Sequence, residues 1–406
     1  MRARISSAAR TASPSPVSHH SFARGKFGLG LSAVVILVLN LALLPISAHA
    51  SVQACTEAGL DAAIAAGGSN TFSCAGATTI AITASKSISV ANLVLDGGGL
   101  LTISGGNARR IFQVNGGSAV TFQNLTISNG FLASGSGAGI LNFGTAAIVN
   151  SAFSGNVIVT GGGAAVQNVG AMTVDKSTFL NNSVTSVSGI ADGAAINNNG
   201  NSLIVSNSTF SGNSAGRGGA ILASTGLSIY NSTIVGNSAS VTCGAGAIFA
   251  VGTTTLANTI VANNTSGGAC RPNCNGTVVS GADSMSDNAD CGASITQRTV
   301  AQINLGTLTG SPAYFPLNPG STAIDAGSNA ICAAAPVNNT SQNGIPRPTD
   351  GNGDGTATCD VGSFEAAALV AIVPAAPAPT LSLWVMLLLA VLLSVATFVQ
   401  LSRAQD

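Results

Sequence analysis

The stretch STFSGNSAGRGGAI, from Ser208 to Ile221, decides the reading: one Phe and one Arg stand among serine, glycine and alanine around a central Asn, and near copies recur along the chain. Aligning AFSGN (from Ala152), TFLNN (Thr178), TFSGN (Thr209), TIVGN (Thr233) and TIVAN (Thr259) places the bulky residue at Phe153, Phe179, Phe210, Ile234 and Ile260, at intervals of 26, 31, 24 and 26 residues. A second element recurs between them: GAGIL from Gly137, GGAAV from Gly162, DGAAI from Asp192, GGAIL from Gly218 and GAGAIF from Gly244. Each unit thus holds a glycine-led strand, a short alternating strand such as LIVSNSTF or LSIYNSTI, and a turn.

Such a unit cannot bury its apolar face alone, but stacked on copies of itself it can. The expected fold is all-β: a single-stranded right-handed parallel β-helix of about seven to nine rungs, with strands roughly 4.8 Å apart so that equivalent side chains form columns. The Phe/Ile column fills a narrow interior, and Asn156, Asn182, Asn213, Asn237 and Asn263 form a hydrogen-bonding ladder at a turn. Charges suit such ladders poorly, because like would stack on like. SISVANLVLDGGG, LLTISGG, RIFQV and AVTFQNLTI carry the same alternation and extend the rod toward its N-terminal end. The NST triplets at Asn207 and Asn231 match a glycosylation acceptor, but ladder residues are the favoured reading. The 31-residue interval marks an enlarged loop near Ser183 to Asp192, read as tolerated length variation.

Composition agrees with a turn-rich β solenoid. Charged residues make up 7% of the chain, far below the quarter or so of an average soluble domain, and 50 glycines occur without the three-residue period of collagen. The formal charge is zero only because the ends offset the middle: between Lys26 and Arg403 the chain carries eight basic and thirteen acidic residues, a net of about −5. A mildly acidic body gives no electrostatic case for nucleic acid.

The ends read as envelope signals. Arg2, Arg4, Arg10, Arg24 and Lys26 precede an apolar run from Leu29 to Leu44, then Pro45 and the small-residue AHA at Ala48 to Ala50, the pattern of an export signal cleaved after Ala50. An uncleaved anchor is the alternative. Leu381 to Leu401 is apolar enough and long enough to cross about 30 Å of hydrocarbon as a helix, with Arg403 as a cytoplasmic positive charge. Before it lies a Pro/Ala linker. The expected organisation is therefore a signal segment (1–50), an N-terminal cap with the first rungs (51–119), regular rungs (120–269), a Cys/Asp-rich C-terminal region (270–365), the linker (366–379) and a transmembrane sorting segment (380–406).

These residues carry a family resemblance. The GGAI and FSGN pairing resembles the repeats of polymorphic outer-membrane proteins, which implies a surface-exposed β-helix. STAIDAGSNAIC, followed by NGIPRPTDGNGDGTATCDVGSFE, between Ser321 and Glu365, is similar to the C-terminal region of the choice-of-anchor Q family, whose members join such repeats to one of several surface anchors. APTLSLW, from Ala378 to Trp384, resembles the IPTL-CTERM sorting signal: Pro379, Thr380, Leu381, Ser382 and Trp384 are kept, while Ala378 replaces Ile and Leu383 replaces Glu. That likeness implies an exosortase-type sorting enzyme and the membrane as partners. An autotransporter passenger is a third reading, disfavoured because no barrel-sized sequence follows.

Many β-helix proteins cleave polysaccharides, so catalysis must be judged from site residues. Such chemistry needs converging carboxylates and basic groups. From Val120 to Ala269 the only charged residues are Asp175, Lys176, Asp192 and Arg217, with no histidine, and the pairing of Asp96 with Arg109 or Arg110 fits a surface salt bridge as well as a site. The expectation is a non-enzymatic structural or adhesive surface protein with extracellular polysaccharide as a candidate partner, Tyr230 being the exposed aromatic on the rungs. A polysaccharide lyase or glycoside hydrolase is the alternative. DGNGDG, from Asp350 to Gly355, fits the first half of a calcium loop, with Asp350, Asn352, Asp354 and Asp360 as candidate ligands; a plain Asx-rich turn is the competing reading. Eight cysteines in an exported chain favour disulfides. Cys243 and Cys270 fall at nearly equivalent places on successive rungs, and the expected pairs are Cys243–Cys270, Cys55–Cys74, Cys274–Cys291 and Cys332–Cys359, with zinc at CRPNC disfavoured for want of histidine.

Overall fold

The computed structural model describes residues 50–186, 191–268, 270–280, 283–369 and 382–403. The signal segment, most of the linker and the sorting residues Pro379, Thr380 and Leu381 lie outside the described residues.

Short strands of alternating residues stack in parallel into a β-helix. Its first face is an eight-stranded sheet, one strand per turn: Lys86–Ile88, Phe112–Val114, Ile140–Asn142, Val166–Asn168, Ile196–Asn198, Ile221–Ala223, Ile248–Ala250 and Cys274–Asn275. From each strand the chain passes to a second face, crossed first by single long strands, Asn92–Ser104 and Ala119–Ser128, and in later turns by two, such as Leu203–Ser206 and Thr209–Ser211. A third face, including Phe131–Ser136, Val157–Gly162, Ser214–Ala215, Ser238–Thr242 and Thr265–Gly267, returns it to the next turn.

Each corner is a column of left-handed backbone, where Asn or Gly is the residue type tolerated best. Between the two strands of the second face stand Asn150, Lys176, Asn207, Asn231 and Asn258, with φ of 45°, 50°, 46°, 42° and 47°. The hydroxyl after each one accepts the backbone N–H of the turn below, as Ser177 does from Ser151 at 3.1 Å and Ser208 from Ser177 at 3.0 Å. Asn207 and Asn231 therefore belong to a corner column, and both are wholly buried, so neither is presented as a glycosylation acceptor.

The next corner holds Gly155, Asn181, Gly212, Gly236 and Asn263, all at positive φ. The residue after it is the ladder amide. Asn156 donates to Asn182 at 2.9 Å, Asn182 to Asn213 at 2.9 Å, Asn213 to Asn237 at 2.8 Å and Asn237 to Asn264 at 3.0 Å. Each acceptor oxygen also takes the backbone N–H of the preceding ladder residue, at 2.9–3.1 Å. The expected fifth member, Asn263, is corrected to Asn264. The same one-residue slip moves the interior column: Ile234 pairs with Val261, not Ile260, and Ile260 faces outward. The doubled Asn in VANN hid the shift, because either residue can stand in either column. Rings of Phe153, Phe179 and Phe210 stack at 4.9 and 4.8 Å, matching the strand spacing.

At the N-terminal end, helix α1 (Glu57–Ala66) buries Leu60 and Ala63 against the first turn, with the Thr56 hydroxyl accepting the Gly59 N–H as its cap. Lys86 ties it down through Glu57 and Asp61, at 2.7 and 2.6 Å. After the last turn, residues 300–366 fold back along the second face with two short helices, α2 (Val300–Ile303) and α3 (Asn329–Ala333). Helix α4 (Leu383–Arg403) has 21 residues, a mean hydropathy of 2.3 and no buried residue. At 1.5 Å per residue it is about 30 Å long, enough to cross a membrane.

Candidate functional site

The outward residues of the second face's later strands form a column, Thr178, Thr209, Thr233 and Ile260, that alternation alone would leave in solvent. All four are at most 1% exposed, because the C-terminal segment covers them. Gln342 spans two turns, donating to Thr178 Oγ1 at 2.9 Å and accepting from Thr209 Oγ1 at 2.6 Å, while the Ser363 N–H donates to Thr233 Oγ1 at 3.0 Å. Gly362 lies so close that an added Cβ would stand 2.9 Å from both Ile260 and Thr233. The DVGSFE run is thus shaped to the rod beneath it.

Arg347, from the GIPRP run, is the centre of this segment. All five of its N–H groups are used: Nε donates to Thr340 O, Nη1 to Asp360 O and to Glu365 Oε2 at 2.8 Å, and Nη2 to the carbonyls of Gly362 and Phe364. The side chains of Arg347 and Glu365 are both shut off from solvent. The other Glu365 oxygen accepts the Thr349 N–H at 2.9 Å. Burial pushes the Glu365 carboxyl up to about 7 and the Asp360 carboxyl up to about 6.

The calcium candidates are not brought together as one set. Asp350 accepts the N–H groups of Gly353 and Gly355 at 2.7 and 2.9 Å, and Asp354 accepts that of Thr356 at 2.8 Å, which makes DGNGDG a chain of Asx turns. Asp360 is buried away from it, accepting the N–H groups of Asp325 and Ala366. Asp325, which the loop motif does not contain, holds the loop through the N–H groups of Gly351 and Asn352. Among the described residues no group of three or more His, Cys, Asp or Glu side chains is placed to hold a metal.

Four disulfides join Cys55–Cys74, Cys243–Cys270, Cys274–Cys291 and Cys332–Cys359, the four pairs expected, of which Cys243–Cys270 rested on the rung spacing. Cys243–Cys270 links successive turns at a Cα separation of 5.1 Å. Cys332–Cys359 lies in the folded-back segment, and Asn231 and Asn258 of the rod point their amides at its sulfurs. Of the sorting residues, Ser382 stands just ahead of α4, its carbonyl accepting the Val385 and Met386 N–H groups, and Trp384 is 77% exposed in the first turn.

Of the charged residues weighed for catalysis, Asp96, Asp175, Asp192 and Arg217 have local partners. Asp96 does not pair with Arg109 or Arg110; it accepts from Gln123, Asn124 and the Gly98 N–H. Asp175 accepts from Ser206 and Asn207, and Asp192 pairs with Arg217. Tyr230 is only partly exposed, because it packs against Cys332, Val337 and Cys359 of the folded-back segment. Phe143, at 46% exposure, is the rung aromatic that faces solvent. A ladder that the sequence reading missed, Asn142 to Asn168 to Asn198 with both bonds at 2.6 Å, lies at the end of the first-face strands. Its signal was the recurrence of Asn two residues after the Ile or Val of the GAI element.

Compared with known proteins, the chain has no significant match among family models, curated proteins or solved structures. The fold defines the class, a parallel β-helix protein carrying four disulfides and an apolar helix of membrane-spanning length.

Proposed function

We propose that the chain is an exported cell-surface protein of the choice-of-anchor Q type, with a structural, adhesive or matrix-associated role and no catalytic one. In this reading an exosortase-type enzyme sorts it through the signal from Pro379 to Trp384. The observation that carries it is the order of parts: a disulfide-tied rod, a segment folded back over its flank, then an apolar helix of 21 residues. Four disulfides fit an oxidising compartment outside the cytosol. The helix fits a membrane stage, and Pro379, Thr380 and Ser382 ahead of it have no part in spanning.

The test is the Pro379→Ala, Thr380→Ala double variant, which leaves the apolar helix intact. Sorting requires that it accumulate at full unprocessed mass in the inner membrane while the wild-type protein reaches the surface in processed form. Equal mass and location for the two would establish a simple anchor instead. Release of fragments when the purified protein is incubated with a polysaccharide panel would replace the non-catalytic reading with an enzymatic one.

A further inference from the structure

The outer surface of the first face carries a groove that folding of the rod alone does not require. Leu141, Gln167 and Asn197 are the middle residues of successive three-residue strands, so their side chains point away from the core. Outward residues of a solvated face should be open to water, yet Gln167 and Asn197 are only 4% and 5% exposed. The third face rises beside them at Gly135, Thr160 and Gly162, Phe143 and Val169 form the opposite rim, and the space between is about 750 Å3. Asn197 Oδ1 lies buried at this site with no hydrogen-bond partner. Its amide nitrogen sits 2.3 Å from where a Cβ on Gly162 would be, so glycine there is what lets the amide reach this position. A buried acceptor left without a donor costs about 1–3 kcal/mol, which a ligand hydroxyl would offset.

Charge and backbone pairing narrow the ligand. Arg110, at one end, donates to the carbonyls of Ser136 and Gly137 and to Gln113. Arg217, at the other, makes two 2.9 Å bonds to Asp192 and lies 5.3 Å over the Phe249 ring. The one carboxylate lining the groove is therefore neutralised, and the lining holds no cationic side chain, Arg110 beyond its end being turned onto neutral oxygens, so an ionic polymer finds no free counter-charge along the floor. Each strand of the floor is bonded to a strand on both sides, so an extended peptide has no open edge to join. What remains is a ligand with hydroxyl donors, an apolar flat side and no charge, laid along three turns at roughly 4.8 Å each.

We propose that this groove binds an uncharged polysaccharide chain, with Phe143 stacking against a sugar ring and the Asn197 side chain turning to bring its buried Oδ1 to a sugar hydroxyl. The proposal rests on the cell-surface reading and gives it a ligand class. The full chain, purified in detergent, is run on native gels containing dextran, laminarin or galactomannan, with alginate as the anionic comparison. At least one neutral polymer is expected to retard it and alginate is not. Phe143→Ala removes an exposed ring, leaves the fold intact and should weaken retardation about fivefold, whereas Phe143→Trp should preserve it. Asn197→Ala should weaken it to a similar degree, with its melting curve recorded as a control. Retardation by alginate alone, by no polymer, or equally for wild type and Phe143→Ala would overturn the proposal. Protease shaving of intact cells separates the two readings: loss of binding by a variant still exposed at the surface belongs to the groove, whereas a wild-type protein inaccessible at the surface sinks the surface role whatever the gels show.

Discussion

Between Asn142 and Thr259 the polar side chains fully withdrawn from solvent are amides and hydroxyls repeated turn after turn, whereas between Arg347 and Glu365 the segment folded over the rod hides an arginine and two carboxylates that occur once. The difference follows from what each side chain has above and below it. A rung residue meets its own copy at about 4.8 Å, and two like charges that close repel by roughly 3.5 kcal/mol at an effective dielectric of 20. An amide is both donor and acceptor, so a column of identical amides satisfies itself. In the folded-back segment no position has a copy, and one guanidinium can be given five acceptors of its own. Repetition selects neutral side chains, and uniqueness permits a buried charge.

The contrast breaks most sharply at Arg347. Arg347→Met leaves Glu365 buried without its cation and four carbonyls without donors, a loss of about 3–5 kcal/mol. The expected result is selective: limited proteolysis should cut within residues 300–365 while the disulfide-tied rungs survive and keep their β signal in circular dichroism. Rungs and segment unfolding together, at the wild-type temperature, would show that the charge cluster is no separate unit.

A smaller effect sharpens the rung side of the comparison. Asn264→Ala removes an acceptor for Asn237 and a donor to the Ile234 carbonyl and to Asn273, and should cost about 1–3 kcal/mol. Asn263→Gly, one residue earlier, sits in the exposed left-handed corner that Gly155, Gly212 and Gly236 already occupy, and should shift stability by about 0.5 kcal/mol or less. Denaturant melts of the two variants decide the register. A larger loss for Asn263→Gly would restore the ladder as first aligned.

The smallest effect expected is a pH response of opposite sign in the N-terminal cap and in the folded-back segment. The Lys86 ammonium and the Thr83 N–H hold the Glu57 carboxyl down at about 2, so its contribution is present above the ordinary carboxylate value of 4.5 and is lost as pH falls toward 2. Glu365 and Asp360 are raised instead, so the native state holds their protons more tightly than the unfolded chain does. Their contribution is full below the ordinary carboxylate values and is lost as pH rises through about 6 to 7. Hydrogen-exchange protection, corrected for intrinsic rates, should fall for α1 on acidification and for residues 340–365 on going from pH 5 to 8. Parallel changes in both regions would contradict the assignment.

The solenoid was legible because its evidence is periodic. Phe153, Phe179 and Phe210 recur with Asn three residues on, and a column along a rod is the only arrangement that gives each copy the same surroundings. The Cys243–Cys270 bridge followed from that same equivalence. Where two neighbouring residues both satisfied the pattern, as at Asn263 and Asn264, the repeat set the element but not its register. Only backbone pairing of Ile234 with Val261 decided between them.

What tertiary structure alone decided are the contacts between parts far apart in the chain. Nothing in the run TFSGN says that Thr209 will lie beneath Gln342, 133 residues later, or that Gly362 must be small to pass over Ile260. Tyr230, expected in the open, is partly covered for the same reason, while Phe143 stays exposed, since the folded-back segment covers one flank of the rod and leaves the other bare. Local alternation reports which way a side chain points from its own strand, and repetition reports what lies one rung away. Neither reports what a non-repeating segment will bring across the outside of the rod, because that is settled by a fit of shape and hydrogen bonds that no period records.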